Sequence, residues 1–493
     1  MEIPISIPSS TTIALSLRRF MGYLLAFIFI IYLFYSLKLI FFPPPWVRPP
    51  DKSFQLSPLT ELRREEQRTG LRHIVFGVAA SANLWDRRKE YIKLWWKPGH
   101  TKGIVWLDRP VKNNTDRHLL PELMISSNTS NFKYSHSNGH RSAIRISRIV
   151  SETLRFLNND STLDDGVRWL VMGDDDTVFV PDNLVRVLSK YDHKEMYYVG
   201  SSSESHTQNM YFSYNMAYGG GGFAISRPLA VALEKMQDGC IQRYPYLYGS
   251  DDRIHACMAE LGVPLTREQG FHQFDVHGNA FGLLAAHPVT PLVSLHHIDL
   301  VEPIFPNVDR VQALRRLMMG PSRLDSAGLL QMSICYDLKR SWTVLVSWGY
   351  AVQIYRGIRL PRDLEMPSKT FLSWHWNSDS SAFSFNTRPD ILNKNTNKPC
   401  DKPSVYFLSN ALYNPVTNNT ASEYVRHWSA NPNCEWKIGD PSKIKRVEVY
   451  KKPNPRIWDK APRRNCCKVL PTAKKQTMVI DVGACYEDEI VQI

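Results

Sequence analysis

Two rhythms of apolar and polar residues run along this chain, preceded by a stretch with neither. Phe20 to Leu37 is an unbroken run of eighteen uncharged, mostly apolar residues, extended past Lys38 by Leu39-Ile40-Phe41-Phe42. A membrane-spanning helix needs about 20 such residues. Pro43 to Pro58 is too rich in proline for regular helix and reads as a stem, and Glu61 to Arg68 is charged and helical in character. From there strands and helices alternate. His73 to Ala80 predicts a buried strand, Trp85 to Trp96 a helix, Gly103 to Leu107 a second strand, and Asn113 to Gly139 a polar loop. Arg141 to Leu157 predicts an amphipathic helix with Ile144, Ile149, Leu154 and Leu157 in its stripe. Strand and helix in alternation predict an α/β fold around a mostly parallel sheet. Beyond residue 305 the period shortens. Trp342 to Val352 alternates as a strand does, and short apolar runs recur at 404–408, 445–450 and 477–482, so 306–493 reads as a mostly β accessory domain.

The amphipathic helix leads into Trp169-Leu170-Val171-Met172-Gly173-Asp174-Asp175-Asp176, a short apolar strand closed by three carboxylates. Like charges packed at a strand end repel unless a cation offsets them, and the C-terminal edge of an open α/β sheet is where ligands bind. A divalent metal is therefore the first reading. A solvated acidic turn before a helix starting at Pro181-Asp182 is the plainer one.

Three further constellations follow. Gly219 to Gly222 strip the side chains from the mouth of the strand Phe223-Ala224-Ile225-Ser226, so backbone can approach a ligand closely. Asp251-Asp252 opens a helix that runs to Leu261, where acids also serve as simple caps. Pro291 to Leu295 is an apolar strand that delivers His296, His297 and Asp299.

Composition narrows the setting. A chain of 493 residues with 43% hydrophobic content is globular and large enough for more than one domain. The net charge of +13 is scattered and comes with no nucleic-acid-binding motif, so it predicts no nucleic-acid partner. Attraction to anionic substrates or to a membrane surface fits it better. Arg18 and Arg19 flank the apolar run, which ends at Phe42-Pro43 without a small-residue cleavage site, and this predicts an uncleaved anchor. Sequons at Asn113, Asn128, Asn159 and Asn418 place the body in the lumen of the secretory pathway. The eight cysteines form no Cys-x-x-Cys pair, which leaves disulfides or buried thiols.

The order Asp174-Asp175-Asp176, Gly-rich strand 219–226, Asp251-Asp252 and His296-His297 resembles the fringe-type branch of glycosyltransferase family 31, most of all its plant fringe-related group. The resemblance covers about residues 70 to 305. It implies a type II Golgi membrane protein with 1–17 a cytosolic tail, 18–42 a transmembrane signal anchor, 43–69 a stem and 70–305 a GT-A domain with a mixed sheet flanked by helices. It further implies an inverting hexosyltransferase, β-1,3 in linkage type, that uses Mn²⁺ and a UDP-sugar and glycosylates a hydroxyl of a glycan or glycoconjugate. Motif by motif, it assigns Asp174, Asp176 and His297 to the metal, and Asp174, Asp175, Gly220, Gly221 and Gly222 to the donor. Asp252 becomes the catalytic base. Two other readings stay open. A haloacid-dehalogenase-type phosphatase would use Asp174 as its nucleophile, and a non-catalytic carbohydrate-binding protein would use none of these residues chemically.

Overall fold

A computed structural model describes residues 10–41, 68–112, 116–376, 379–390, 401–428 and 439–485. The expected stem up to residue 67, the sequon at Asn113, and Cys400 and Cys434 lie outside them. Two compact units are present, Met1–Arg68 and Thr69–Ile493. In the first, a helix spans Ser10–Phe41, and its segment Phe20–Lys38 is long and apolar enough to cross a membrane.

The second unit is mixed α/β with a β-rich C-terminal region. Its first sheet has seven strands. Strands β1 (Ile74–Ala80), β2 (Lys102–Leu107), β3 (Glu122–Ile125) and β4 (Trp169–Asp174) run parallel in the order β3-β2-β1-β4. Phe223–Ser226 then pairs antiparallel to β4, followed by Tyr198–Gly200 and Leu265–Arg267. Every residue of β1 is buried, because both faces of the sheet are covered, and this is why the strand reads as one apolar run. The helix Ser142–Asn159 covers one face and buries Ile144, Ile149, Leu154 and Leu157 against Leu170, Ile225 and Leu233. Each such side chain contributes about 1.5–3 kcal/mol. Strand β3 lies inside the segment expected to be a loop. Its half-exposed side chains carry no strand pattern, and its place comes from backbone pairing at the sheet edge.

The C-terminal region forms an eight-stranded sheet in the order 332–337, 342–347, 351–356, 404–414, 419–428, 446–451, 477–483, 466–470. All neighbours are antiparallel except 446–451 with 477–483. Cys335–Cys467 joins the first strand of that order to the last, and Cys466–Cys485 lies beside it. The third described disulfide, Cys240–Cys257, ties the helix Arg227–Arg243 to the helix Ser250–Glu260. Residue 305 marks no break in packing. One core holds Phe76 and Phe179 of the first region together with Val344, Tyr406 and Ile480 of the second, and Phe371–Ser373 pairs with Val276–Gly278.

Candidate active site

Strands β1 and β4 end side by side, with Ala79 opposite Asp174. The chain then turns within four residues. The Asp174 N–H donates to Thr177 Oγ1 at 2.8 Å, and that hydroxyl donates to the Gly220 carbonyl at 2.7 Å. Val178–Phe179 leaves the turn and pairs antiparallel with Ser294–Leu295, Val178 opposite Leu295. The next residue, His296, therefore arrives beside the acids. Its Nε2 lies 3.3 Å from Asp176 Oδ1 and 3.8 Å from Asp174 Oδ2. Asp174, Asp176 and His296 each offer a ligand atom, all within 4.8 Å of one another.

The sequence reading puts His297 in this set, and the structure puts His296 there. The cause is the pleat of a two-residue strand. After Leu295 the chain turns at His297, which sits at φ +54° and directs Nδ1 to Asp275 Oδ1 at 3.1 Å. Asp275 also accepts from Ser203 Oγ at 2.6 Å.

A guanidinium also serves the cluster. Arg88, on the helix Trp85–Ile92 that follows β1, reaches Asp175 at 2.9 Å, Asp176 at 3.0 Å and Asp299 at 3.1 Å. Ser81 N–H also donates to Asp175, at 3.2 Å. Nothing local in the sequence marks Arg88. Its only signal is position, on the helix after the first parallel strand, where the helix start faces the sheet's ligand edge.

Burial lifts Asp174 to about 7, against the pull of His296, and lifts Asp175 to about 6, against the pull of Arg88. Asp176 is buried too, but His296 and Arg88 hold it well below the usual carboxylate range. Burial disfavours the His296 imidazolium, and Asp176 beside it outweighs that and raises the group.

The donor set suits a divalent cation. Both Asp176 oxygens and His296 Nδ1 are buried without an aligned hydrogen-bond partner, a condition that normally costs stability unless a further group is bound. Two carboxylates with one imidazole fit Mn²⁺ or a similar ion.

The glycines make room for neighbouring protein groups. A Cβ on Gly220 would stand 2.0 Å from the His296 ring, and one on Gly219 would stand 2.5 Å from Asp251 Oδ1. Gly221 N–H donates to Gln273 Oε1 at 2.6 Å, and Gly222 takes φ +84° against Phe179. Protein atoms fill the space at Gly220, Gly221 and Gly222, and the run allows the metal-set histidine to close on the acids. Asp251 and Asp252 both open the helix Ser250–Glu260, which Cys257 ties back. Asp251 faces the fields of His296 and Asp275, while Asp252 lies among His255, Arg253 and His136. Burial raises both carboxyls.

Residues 208–467 match the family described as "Protein of unknown function, DUF604", a span of more than half the chain. The protein belongs to the DUF604 family. The match begins after the triple acid and takes in Asp251, Asp252, His296 and most of the C-terminal sheet, so the DUF604 region spans both parts of the shared core. The DUF604 protein is also similar to a human protein named beta-1,3-glucosyltransferase, with 33% identity over 119 residues. That stretch is 24% of this chain and spans only 22% of the human protein's length. Among solved structures, it is similar to a glycosyltransferase involved in the glycosylation of the major capsid of PBCV-1. The likeness covers 50% of this chain and 99% of that one at 10% identity, with a TM-score of 0.25.

Proposed function

We propose that this protein is a metal-dependent, inverting glycosyltransferase of the fringe type on a GT-A fold, moving a hexose-type sugar from a UDP-sugar to an acceptor hydroxyl. The observation that carries the reading is the closed set Asp174, Asp176 and His296 at the C-terminal edge of β4. Those three residues would hold the cation, which when bound neutralises the diphosphate leaving group. Arg88 fixes Asp175 and Asp176 in place and offsets their charge. Asp252 takes the proton of the acceptor hydroxyl as its oxygen bonds to the anomeric carbon from the face opposite the leaving UDP. A carboxyl raised by burial is a better base near neutral pH than an exposed one. The similarity to the human beta-1,3-glucosyltransferase supports a β-1,3 linkage as the finer form of the proposal.

The phosphatase alternative needs an acid two residues after the nucleophile that can gain and lose a proton. Asp176 occupies that position and is engaged by Arg88 at 3.0 Å and His296 at 3.3 Å, which favours its charged form. A Golgi-anchored, lumenal orientation is supported by the apolar helix, by three disulfides among the described cysteines and by the exposure of the described sequon residues Asn128, Asn159 and Asn418.

The test is to incubate the purified full-length protein with a panel of nucleotide sugars and Mn²⁺ and to measure released nucleotide. Release from one UDP-sugar, dependent on the metal, is the expected outcome. Release of phosphate from simple phosphoesters, or no turnover of any nucleotide sugar, would refute it.

A further inference from the structure

A column of five rings runs from the metal set to the protein surface. His296 lies 3.8 Å from His297 between ring centroids, and His297 stacks on Trp374 at 4.7 Å with the planes 14° apart. Trp374 stacks on His277 at 5.1 Å, and His277 on Trp376 at 4.0 Å with the planes 7° apart. The pairing of Phe371–Ser373 with Val276–Gly278 brings these elements together, with His277 opposite Leu372. His277 Nε2 lies 3.2 Å from the Trp374 carbonyl, which fixes the proton on that nitrogen.

The last ring is the unusual one. Trp376 is 67% exposed although its indole stacks on His277, so much of the ring remains accessible. Its backbone sits at φ +58°, a left-handed conformation that bulky residues rarely adopt, and His297 in the same column is at φ +54°. An aromatic ring that adds little to the core, held out on a strained backbone, is a feature found at ligand sites. The rim of this face is polar. His375 is exposed beside it, and its Nε2 is 3.4 Å from Gln208 Nε2.

Resting on the glycosyltransferase reading, we infer that Trp376, backed by His277 and Trp374, is the acceptor platform and binds the apolar C–H face of a pyranose ring in a glycan acceptor. A sugar ring presents an apolar face inside a rim of hydroxyls, and the indole with His375 and Gln208 presents the complement. The nucleoside has a different place. Asp176 turns one oxygen to Arg88 and the other to His296. Arg88 marks the side of β1 and β4, the parallel strand ends where a diphosphate binds. The ring column leaves from the His296 side. Trp374 and Trp376 belong to the C-terminal region, which thereby completes the site.

The test is saturation-transfer NMR on the full-length protein in a detergent without a sugar headgroup. The probes are methyl β-D-galactoside, methyl β-D-glucoside and methyl α-D-mannoside, with UDP and Mn²⁺ measured separately by calorimetry. Saturation should pass to ring C–H protons of at least one glycoside. Trp376→Ala should weaken that binding by roughly tenfold, and Trp376→Phe by less, as expected for loss of one stacking surface. UDP affinity should stay within about twofold of wild type, as for a side chain that makes no donor contact. Undiminished glycoside binding in Trp376→Ala, or no transfer to any of the three glycosides in the wild type, overturns the inference. A fall in UDP affinity on removing Trp376 would make the ring a nucleoside platform and overturn it equally. The underlying reading fails by another route, through absent metal-dependent UDP binding in the wild type, so the two failures are distinguishable.

Discussion

Replacing Arg88 with methionine removes the one guanidinium that reaches Asp175, Asp176 and Asp299 while keeping an unbranched chain of similar length. The arginine side chain is 19% exposed and two of its partners, Asp175 and Asp176, are 3% and 1% exposed, so the pairs are largely shielded from water. Breaking a buried ion pair by removing one partner costs about 3–5 kcal/mol, because the remaining charges are left uncompensated. For a unit the size of Thr69–Ile493, an unfolding entropy of ~2.1 cal/mol/K per residue totals about 0.9 kcal/mol/K, so Arg88→Met should lower the melting temperature by roughly 3–6 °C. On the proposed metal assignment, Mn²⁺ would supply the same kind of compensation to Asp174 and Asp176. Its stabilising effect should therefore be larger in the variant than in the wild type. Differential scanning fluorimetry with and without Mn²⁺, under non-reducing conditions, measures both quantities. If Arg88→Met melts within about 1 °C of wild type, a change worth under ~1 kcal/mol on the same scale, the carboxylates do not depend on the arginine and the electrostatic account of the cluster is wrong.

Asp176→Ala should abolish Mn²⁺-dependent UDP binding in calorimetry while leaving the circular dichroism spectrum unchanged; retained binding would move the metal elsewhere. Asp252→Asn should keep donor affinity and lose roughly 10²–10⁴-fold in turnover, and near-wild-type turnover would make Asp251 the next residue to test. His287 is buried with Nε2 3.0 Å from His272 Nε2, and burial and that neighbour lower its proton affinity well below the ordinary histidine value. Because the folded group binds a proton less readily than the unfolded one, its contribution to stability is full above about pH 6.5 and is lost as pH falls below that value. Urea unfolding at pH 7.5 and pH 5.5 should show the loss, and His287→Gln should reduce it; equal pH dependence in both proteins would exclude His287 as the source.

The strands β1, β2 and β4 are legible in the sequence because each is covered on both faces or nearly so, and burial writes an apolar run into the chain. The triple acid is legible for a related reason, since charges placed directly after such a run have few structural uses. Legibility fails where position depends on distant pairing. Val178–Phe179 and Ser294–Leu295 are too short to show a period, yet their register decides which of two adjacent histidines meets Asp176. Arg88, Asp275 and Ser203 carry no local sign of their partners, which lie 87, 22 and 72 residues away in sequence as Asp175, His297 and Asp275. The glycine run is visible as a motif, but only the structure shows that its empty volume belongs to the rings and carboxylates of the protein itself. The change to β-rich structure comes at Met332, after the helices Arg310–Met319 and Pro321–Asp325, rather than at 305. The two regions are in contact across 305, since Phe371–Ser373 returns to pair with Val276–Gly278.

Cys335 and Cys467 stand in the two outermost strands of the C-terminal sheet, and those strands lie in contact. An open sheet would end in two rows of unpaired backbone groups, each able to recruit a strand from another molecule. The cross-link ties one edge strand to the other, so that the two edges are held against each other. Where thiols stay reduced, only noncovalent contacts would hold the two edges together, and their parting would expose both to strand pairing. An oxidising compartment would therefore protect this sheet from strand-to-strand association as well as stabilise it.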